Sequence, residues 1–226
     1  MSLKHIAVVI VTIAFAVPAA AAPITFVYSG TLTSVDPALA SVLHVGDPFS
    51  GSYTFESTTP SDGFDPGTRE NYLNAVTAHW GTVGSYSYTF NPLGGLAYYG
   101  FPLNQSRVEV ANNYFPDDSF GFVATATGLA IGPQQLRAVG VFGYDASQSM
   151  LSGTALPLTP PGPLSSSFFL LKFFQDGDPF GVNALGTFDT FEVPAEPSAV
   201  PEPTTLLLVG SGLAAAARRR RRTTNA

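Results

Sequence analysis

Apolar and polar residues alternate with a period of two along much of the chain between residues 22 and 194. In the segments ITFVYSGTLT, FSGSYTF and SYSYTF, aromatic and aliphatic residues share one side, and serine or threonine occupies the other. Successive side chains of a strand point to opposite faces, so the pattern predicts half-buried strands with hydroxyl-bearing outer faces. The run FFLLKFF, Phe168 to Phe174, is continuously apolar, which is typical of a strand covered on both faces.

Two segments depart from simple alternation. Between Gly186 and Val193, the residues Phe188 and Phe191 are out of phase, which indicates a β-bulge. Asp36 precedes Pro37 and the run ALASVL, which is the order of an N-cap, a first helical residue and a short helix that ends near Leu43.

Clusters of glycine, proline, asparagine and aspartate separate the strand-like runs, as in TTPSDGFDPG, NPLGG, NNYFPDD and QDGDPFG. Such clusters are turn signals, and many short strands joined by turns indicate an all-β domain. We therefore expect residues 22–194 to form an antiparallel β-sandwich, jelly-roll-like, flanked by an N-terminal signal helix and a C-terminal transmembrane helix.

The distribution of charged residues along the chain limits the kinds of partner that it could bind. Charged residues make up only 12% of the 226, and the net charge of −6 conceals an uneven distribution. Between Pro23 and Val200 there are four basic and fifteen acidic residues, a net charge of −11. Nucleic-acid binding depends on lysine and arginine, so we expect no nucleic-acid partner. The absence of cysteine excludes disulfides, thiolate nucleophiles and cysteine-ligated metals.

The first 21 residues have the order of a secretory signal peptide. Lys4 precedes an apolar run of twelve residues, Ile6 to Val17, which is shorter than the span of about 20 that a membrane helix needs. Pro18 and a run of alanines follow, so we expect cleavage between Ala21 and Ala22. The expected partners at this end of the chain are the Sec translocon, which exports the protein, and signal peptidase, which cleaves it. An uncleaved N-terminal anchor is the alternative.

The C-terminal end has three parts. Residues 195–203 form a proline-rich linker, and residues 204–217 are an apolar run that would be about 21 Å long as a helix, against about 30 Å of hydrocarbon. An arginine cluster in the tail, residues 218–226, lengthens the effective segment by snorkelling and places the tail in the cytoplasm. The membrane-stop residues are Arg218, Arg219, Arg220, Arg221 and Arg222.

Pro201, Glu202 and Pro203, the short apolar run and the arginine cluster together resemble the PEP-CTERM sorting signal. Proteins with this signal are exported by Gram-negative bacteria that make exopolysaccharide. The resemblance implies recognition by exosortase, a transpeptidase-like membrane enzyme that removes the tail near the motif. It also implies a transient anchor in the inner membrane, with the body in the periplasm, followed by transfer to the cell surface or extracellular matrix.

Catalytic patterns are weak in the body. Nucleophilic catalysis needs a base beside the nucleophile, and residues 22–194 contain only His44 and His79 and no G-x-S-x-G motif. Glycoside hydrolysis needs two facing carboxylates, and the sequence does not pair its glutamates. These are Glu56, Glu70, Glu109 and Glu192.

Two kinds of binding site remain as weaker candidates. Calcium prefers oxygen ligands, which turn-rich loops offer at two aspartate pairs, although neither has EF-hand spacing; these are Asp117 with Asp118 and Asp176 with Asp178. We expect no cofactor, and a calcium ion is the alternative. Carbohydrate binding needs exposed aromatic platforms, and its candidates are Trp80, Tyr98, Tyr99 and Tyr114.

These observations predict a non-catalytic exported protein of the cell surface or biofilm matrix. A carbohydrate module that binds exopolysaccharide on the same export route is the first alternative, and a weak secreted hydrolase is the second. Exposed aromatic side chains on one surface would favour the first alternative, and a close pair of carboxylates in a cleft would favour the second.

Overall fold

The structure is a computed structural model that describes residues 23–92, 96–98, 101–103, 106–114, 116–178 and 180–194. The predicted signal peptide, the apolar run 204–217 and the arginine tail lie outside these residues. The described part is built of twelve strands: β1 Ile24–Val35, β2 Pro48–Phe55, β3 Arg69–Leu73, β4 Val76–Val83, β5 Tyr86–Phe90, β6 Leu96–Tyr98, β7 Phe101–Leu103, β8 Arg107–Tyr114, β9 Asp117–Gly128, β10 Gln135–Asp145, β11 Ser166–Phe174 and β12 Val182–Glu192.

Eight of the strands pair antiparallel in a closed ring, in the order β10, β11, β12, β1, β2, β4, β5 and β9. The ring closes because β9 pairs with β10 along one edge, over residues 118–125, and with β5 at residues 126–128 of the other. The rest of that second edge pairs with β8, which carries β3 on its far side. Strands β6 and β7 pair antiparallel in a separate two-stranded sheet.

The expected sandwich is therefore wrong, although the all-β antiparallel class is correct. The described residues between 23 and 194 form a closed eight-stranded barrel with β8 and β3 attached to it. Alternating strands have one apolar and one polar face in either architecture, so the pattern along the chain does not distinguish the two. The pairing of β9 with both β5 and β10 closes the sheet, and this contact joins segments distant in sequence.

Aromatic side chains fill the interior of the barrel. Phe49 and Phe169 stack with ring centroids 3.9 Å apart, and Tyr53 lies 4.2 Å from Phe122. Phe26 contacts three further rings at 5.5–6.0 Å in edge-on geometry, which aromatic pairs favour. The barrel is thus a packed core. The largest fully buried side chains are Tyr53, Tyr88, Phe26, Phe55, Phe120, Phe122, Phe169 and Phe173.

One row across the interior shows how the rings fit. Tyr28, Gly51, Gly81 and Tyr88 are successive cross-strand partners on β1, β2, β4 and β5. Each tyrosine ring lies over the neighbouring glycine, and a Cβ at either glycine would collide with the hydroxyl of that tyrosine. The two hydroxyl oxygens meet at 3.1 Å. The glycines therefore provide the space in which the two rings lie.

The structure tests the two irregular segments. A register shift in β12 opposite Tyr28 and Gly30 places Phe188 and Phe191 both inside, so the predicted bulge is confirmed. The predicted helix is shorter than expected. Asp36 does accept a hydrogen bond from the amide of Ala38, but the 3-10 helix covers only Pro37–Leu39. The chain then turns back into β2, with the amide of Gly46 bonded to the carbonyl of Leu32.

Strand β11 is covered fully on one face only. Its inward residues Phe169, Leu171 and Phe173 have no exposed surface. The outward residues Phe168 and Leu170 are half-buried. The continuous apolar run therefore reflects a filled interior together with a partly covered outer face, rather than a strand between two layers.

Candidate functional site

The outer surface of β1, β2, β4 and β5 is covered by hydroxyl groups. Outward positions on these strands alternate with the aromatic interior positions, so the serines and threonines of the sequence pattern meet across strands. The Oγ1 atoms of Thr25 and Thr54 lie 2.8 Å apart, and Ser50 Oγ lies 3.4 Å from Thr82 Oγ1. We call this surface the hydroxyl face; its exposed or half-buried hydroxyl residues are Thr25, Ser29, Thr31, Ser50, Thr54, Thr82, Ser87, Thr89 and, on β9, Thr127.

Trp80, the single tryptophan of the sequence, lies within this face. Its cross-strand partners are Ser52 on β2 and Thr89 on β5, and the row continues to Val27 on one side and Thr127 on the other. The side chain is 54% exposed, although its strand is hydrogen-bonded on both edges. An aromatic ring is therefore presented to solvent from the rigid wall of the barrel.

The hydroxyl face carries no charge. None of its outward positions on β1, β2, β4 and β5 is Asp, Glu, Lys or Arg. In the row of Trp80, the first charged residue is Glu192 on β12, three strands away. At about 4.8 Å between strands, this places Glu192 about 14 Å from Trp80. The absence of charge is notable in a body with a net charge of −11.

The other aromatic candidates are not brought to this surface. Tyr114 pairs with Asp117 at the start of β9, whereas Thr127 of the Trp80 row is near its end, about 33 Å along the strand. The Tyr114 ring lies 5.4 Å from the guanidinium carbon of Arg69. Tyr98 is the last residue of β6, and its side chain and the whole of Tyr99 lie outside the described residues.

Two buried carboxylates hold the long loop that follows β10. Asp118 and Asp145 are cross-strand partners at the same end of β9 and β10 and are almost fully buried. Asp145 accepts hydrogen bonds from the amides of Ser147, Ser149 and Met150, at 2.8–3.0 Å. Bonds from the hydroxyl and amide of Ser147 and from Ser149 hold the pKa of Asp145 well below its usual value.

Asp118 is the second carboxylate that holds this loop. Its two carboxylate oxygens accept the amide of Asn113 at 2.8 Å and the amide of Leu151 at 2.9 Å. The hydroxyl of Tyr72 donates to the carbonyl of Thr154 at 2.6 Å, further along the loop. A cavity of about 530 Å³ is lined by residues of the segment 150–162, and none of these lining residues is titratable. The carboxylates therefore bind backbone amides of this chain.

The remaining calcium candidates lie apart from these groups. Asp176 and Asp178 are in the exposed turn between β11 and β12, where Asp178 accepts the amide of Phe180 at 2.9 Å. Asp117 is half-buried beside Asp118. Among the described residues, no group of three or more His, Asp or Glu side chains could hold a metal ion.

The histidines do not form a nucleophile–base pair among the residues that the structure describes. His79 is inside the barrel, where its Nε2 lies 3.1 Å from the hydroxyl of Tyr28 and its Nδ1 has no partner. Burial lowers the pKa of His79 to about 3, because the charged ring would lose its hydration. His44 is on the exposed loop before β2.

Two of the glutamates, Glu70 and Glu109, lie close together in the sheet but do not face each other. In the pairing of β3 with β8, Glu70 is opposite Val110 and Glu109 is opposite Asn71, so the two carboxylates are on opposite faces. Glu109 accepts a hydrogen bond from Arg69 at 2.8 Å, and Arg107 lies 3.6 Å away. Glu109 is therefore held by two arginines.

Asp145 is the structurally important residue that sequence reasoning missed. The signal was present in DASQS, where a carboxylate is followed by serines at the second and fourth positions, an order that favours side-chain bonds to nearby amides. The partnership with Asp118 depends on the register of β9 with β10 and has no signal in the sequence.

The described architecture is thus a barrel with a filled interior, an anchored loop and one uncharged face that carries an exposed aromatic ring. No helix within the described ranges is long and apolar enough to cross a membrane. The export route of the protein is indicated by its C-terminal residues. Residues 199–222 match the PEP-CTERM protein-sorting motif, so the resemblance is confirmed and the chain carries this sorting signal at its C-terminal end. No curated protein and no solved structure matches the chain.

The motif implies that exosortase processes this protein and that the protein is exported to the cell surface or beyond it. The matched range includes Pro201, Glu202 and Pro203, the apolar run and all five arginines. Signal-peptide cleavage and the transient membrane anchor concern residues outside the described ranges and stay predictions.

Proposed function

We propose that this chain is a non-catalytic structural protein of the cell surface or exopolysaccharide matrix, delivered there through its PEP-CTERM signal. The observation that carries the proposal is the sorting motif at residues 199–222. In this route the signal peptide is removed, the apolar run anchors the chain briefly in the inner membrane, and exosortase cleaves near Pro201, Glu202 and Pro203.

Several features of the barrel support a non-catalytic role. The buried carboxylates of Asp118 and Asp145 are occupied by backbone amides, and Glu109 is bound by arginines. His79 is enclosed by aromatic rings and held neutral. In catalytic sites such groups face a pocket that admits substrate.

The proposal is tested by mass spectrometry of the protein from cells with and without exosortase. We expect the surface form from exosortase-positive cells to lack Arg218 to Arg222, and cells without the enzyme to retain them. Glu202→Gln should cause the tailed form to accumulate. Glu196→Gln is the matched control, since Glu196 also precedes a proline but lies outside the motif. A surface protein that keeps its arginines in exosortase-positive cells would refute the sorting route.

A further inference from the structure

We propose that the hydroxyl face around Trp80 is a binding surface for an uncharged polysaccharide. The inference rests on the proposed function in one respect, because it assumes that the exported protein meets such a polymer. Its own support is the juxtaposition on one barrel wall of an exposed indole, several serine and threonine hydroxyl groups and no charge.

Trp80 provides the anchor of this surface. A sugar ring has an apolar face of C–H groups, and an indole offers a large flat apolar surface on which that face can stack. Trp80 is fixed by a strand that pairs with β2 on one side and β5 on the other. Since the backbone beneath the ring is already ordered, binding costs little conformational entropy.

Hydroxyl groups flank the ring on two strands: Thr89 is exposed beside it on β5, and on β2, where Ser52 itself is buried, Ser50 is exposed and Thr54 half-buried. Serine and threonine hydroxyls both donate and accept hydrogen bonds, as the hydroxyls of a sugar do. The row from Val27 through Ser52, Trp80 and Thr89 to Thr127 crosses five strands, a width of about 19 Å. The row is therefore wider than one sugar ring, and the surface suits a polymer better than a monosaccharide.

The charge of the protein selects an uncharged polymer. A polyanion would be repelled by a body with a net charge of −11, and the hydroxyl face has no lysine or arginine with which to attract it. A protein partner of ordinary affinity needs a central cluster of buried apolar anchors. Trp80 is the only large apolar side chain with more than half of its surface exposed among the described outward positions of this face, so a neutral hydroxylated polymer is the better match.

The chain provides its own probe of this site. Trp80 is the only tryptophan, so intrinsic tryptophan fluorescence reports on this face alone. The protein is purified in the form in which expressing cells export it. It is titrated with two neutral polymers, a soluble mixed-linkage β-glucan and dextran, and with alginate as a polyanion. We expect at least one neutral polymer to shift the emission and to protect Trp80 from iodide quenching, and alginate to do neither.

Variants test the residues. Trp80→Ala, measured by retardation in native gels that contain the polymer, should weaken binding by about tenfold or more, which corresponds to about 1.4 kcal/mol. Thr89→Val removes one hydroxyl at constant shape, keeps the fluorescent ring and should weaken binding by a smaller factor. Leu129→Ala is the control, because Leu129 is 83% exposed but lies in the loop after β9. Circular dichroism verifies that each variant is folded.

The inference is overturned if neither neutral polymer protects Trp80, or if Trp80→Ala binds as tightly as the native protein. These outcomes are separable from failure of the proposed function. If the protein reaches the surface with its tail removed but binds no neutral polymer, the sorting route is supported and the binding site is refuted. If the protein binds the polymer in vitro but keeps its arginine tail on the surface, the binding site is supported and the sorting route is refuted.

Discussion

The buried histidine makes a sharp prediction about acid stability. The His79 ring lies inside the barrel, with ring centroids 5.0 Å from Phe122 and 5.3 Å from Tyr88. Its Nε2 is 3.1 Å from the hydroxyl of Tyr28, and its Nδ1 has no partner. A proton added to the ring would place a charge among aromatic side chains, and burial therefore lowers the pKa of His79 to about 3.

The difference between folded and unfolded states sets the size and direction of the effect. An unfolded chain binds a proton at His79 below pH 6.5, the ordinary pKa of histidine, whereas the folded chain does so only near pH 3. Between these values the unfolded state binds more protons, so stability falls as the pH falls. The contribution is about 1.4 kcal/mol for each pH unit, or about 5 kcal/mol over the whole window.

The perturbation is His79→Gln, which removes the titrating ring and keeps a polar group opposite Tyr28. Urea unfolding followed by far-ultraviolet circular dichroism gives the free energy of unfolding of both proteins from pH 7 to pH 4. We expect the variant to be less stable at pH 7, because it loses the aromatic contacts, and the gap to shrink as the pH falls. The carboxylates titrate in both proteins, so their contribution cancels in the difference.

His44→Gln is the control for this experiment. It removes the other histidine of residues 23–194 and keeps His79, so it should retain the loss of stability in acid. A gap between native protein and His79→Gln that stays constant from pH 7 to pH 4 would refute the reasoning, since it would mean that the ring titrates alike in both states.

Two further predictions concern packing and the anchored loop. Gly81→Ala should destabilise the barrel by about 1–3 kcal/mol in urea unfolding, because the new Cβ collides with the Tyr88 ring and hydroxyl. Gly153→Ala, which has no neighbour within 4 Å, should change stability by less than about 0.5 kcal/mol, and equal effects would contradict this account of the glycine row. Asp145→Asn should speed proteolysis of the loop after β10, because the carboxylate that binds three of its amides loses its charge. Asp178→Asn, in an exposed turn, should leave that cleavage rate unchanged, and a loop equally resistant in both variants would exclude the anchoring role.

Alternation in the sequence predicted the faces of its strands, whereas the helix expected to reach Leu43 and the two-sided cover of β11 were wrong. Alternation in ITFVYSGTLT, FSGSYTF and SYSYTF gave the correct inner and outer faces of β1, β2 and β5, because the side-chain period of a strand is fixed by its backbone. The phase error between Phe188 and Phe191 predicted the bulge in β12, since only an extra residue places both rings inside. The same alternation identified the hydroxyl-bearing positions one strand at a time.

Features that join distant segments were not predictable. Closure into a barrel depends on β9 pairing with β5 near its end and with β10 along its length. The uncharged surface around Trp80 exists because four strands align in one register, and the loop anchor exists because Asp118 and Asp145 meet across β9 and β10.

The sequence by itself determined the inner and outer faces of β1, β2 and β5 and the sorting signal that implies export, because alternation and a motif are read along the chain. Tertiary structure alone decided that the strands close into a ring, that Trp80 lies in an uncharged field of hydroxyl groups, and that His79 is enclosed. The physical reason is that strand register and ring closure minimise the free energy of the whole aromatic core. Many pairings are compatible with alternation in one strand, and the observed register is one that places the tyrosine rings over Gly51 and Gly81.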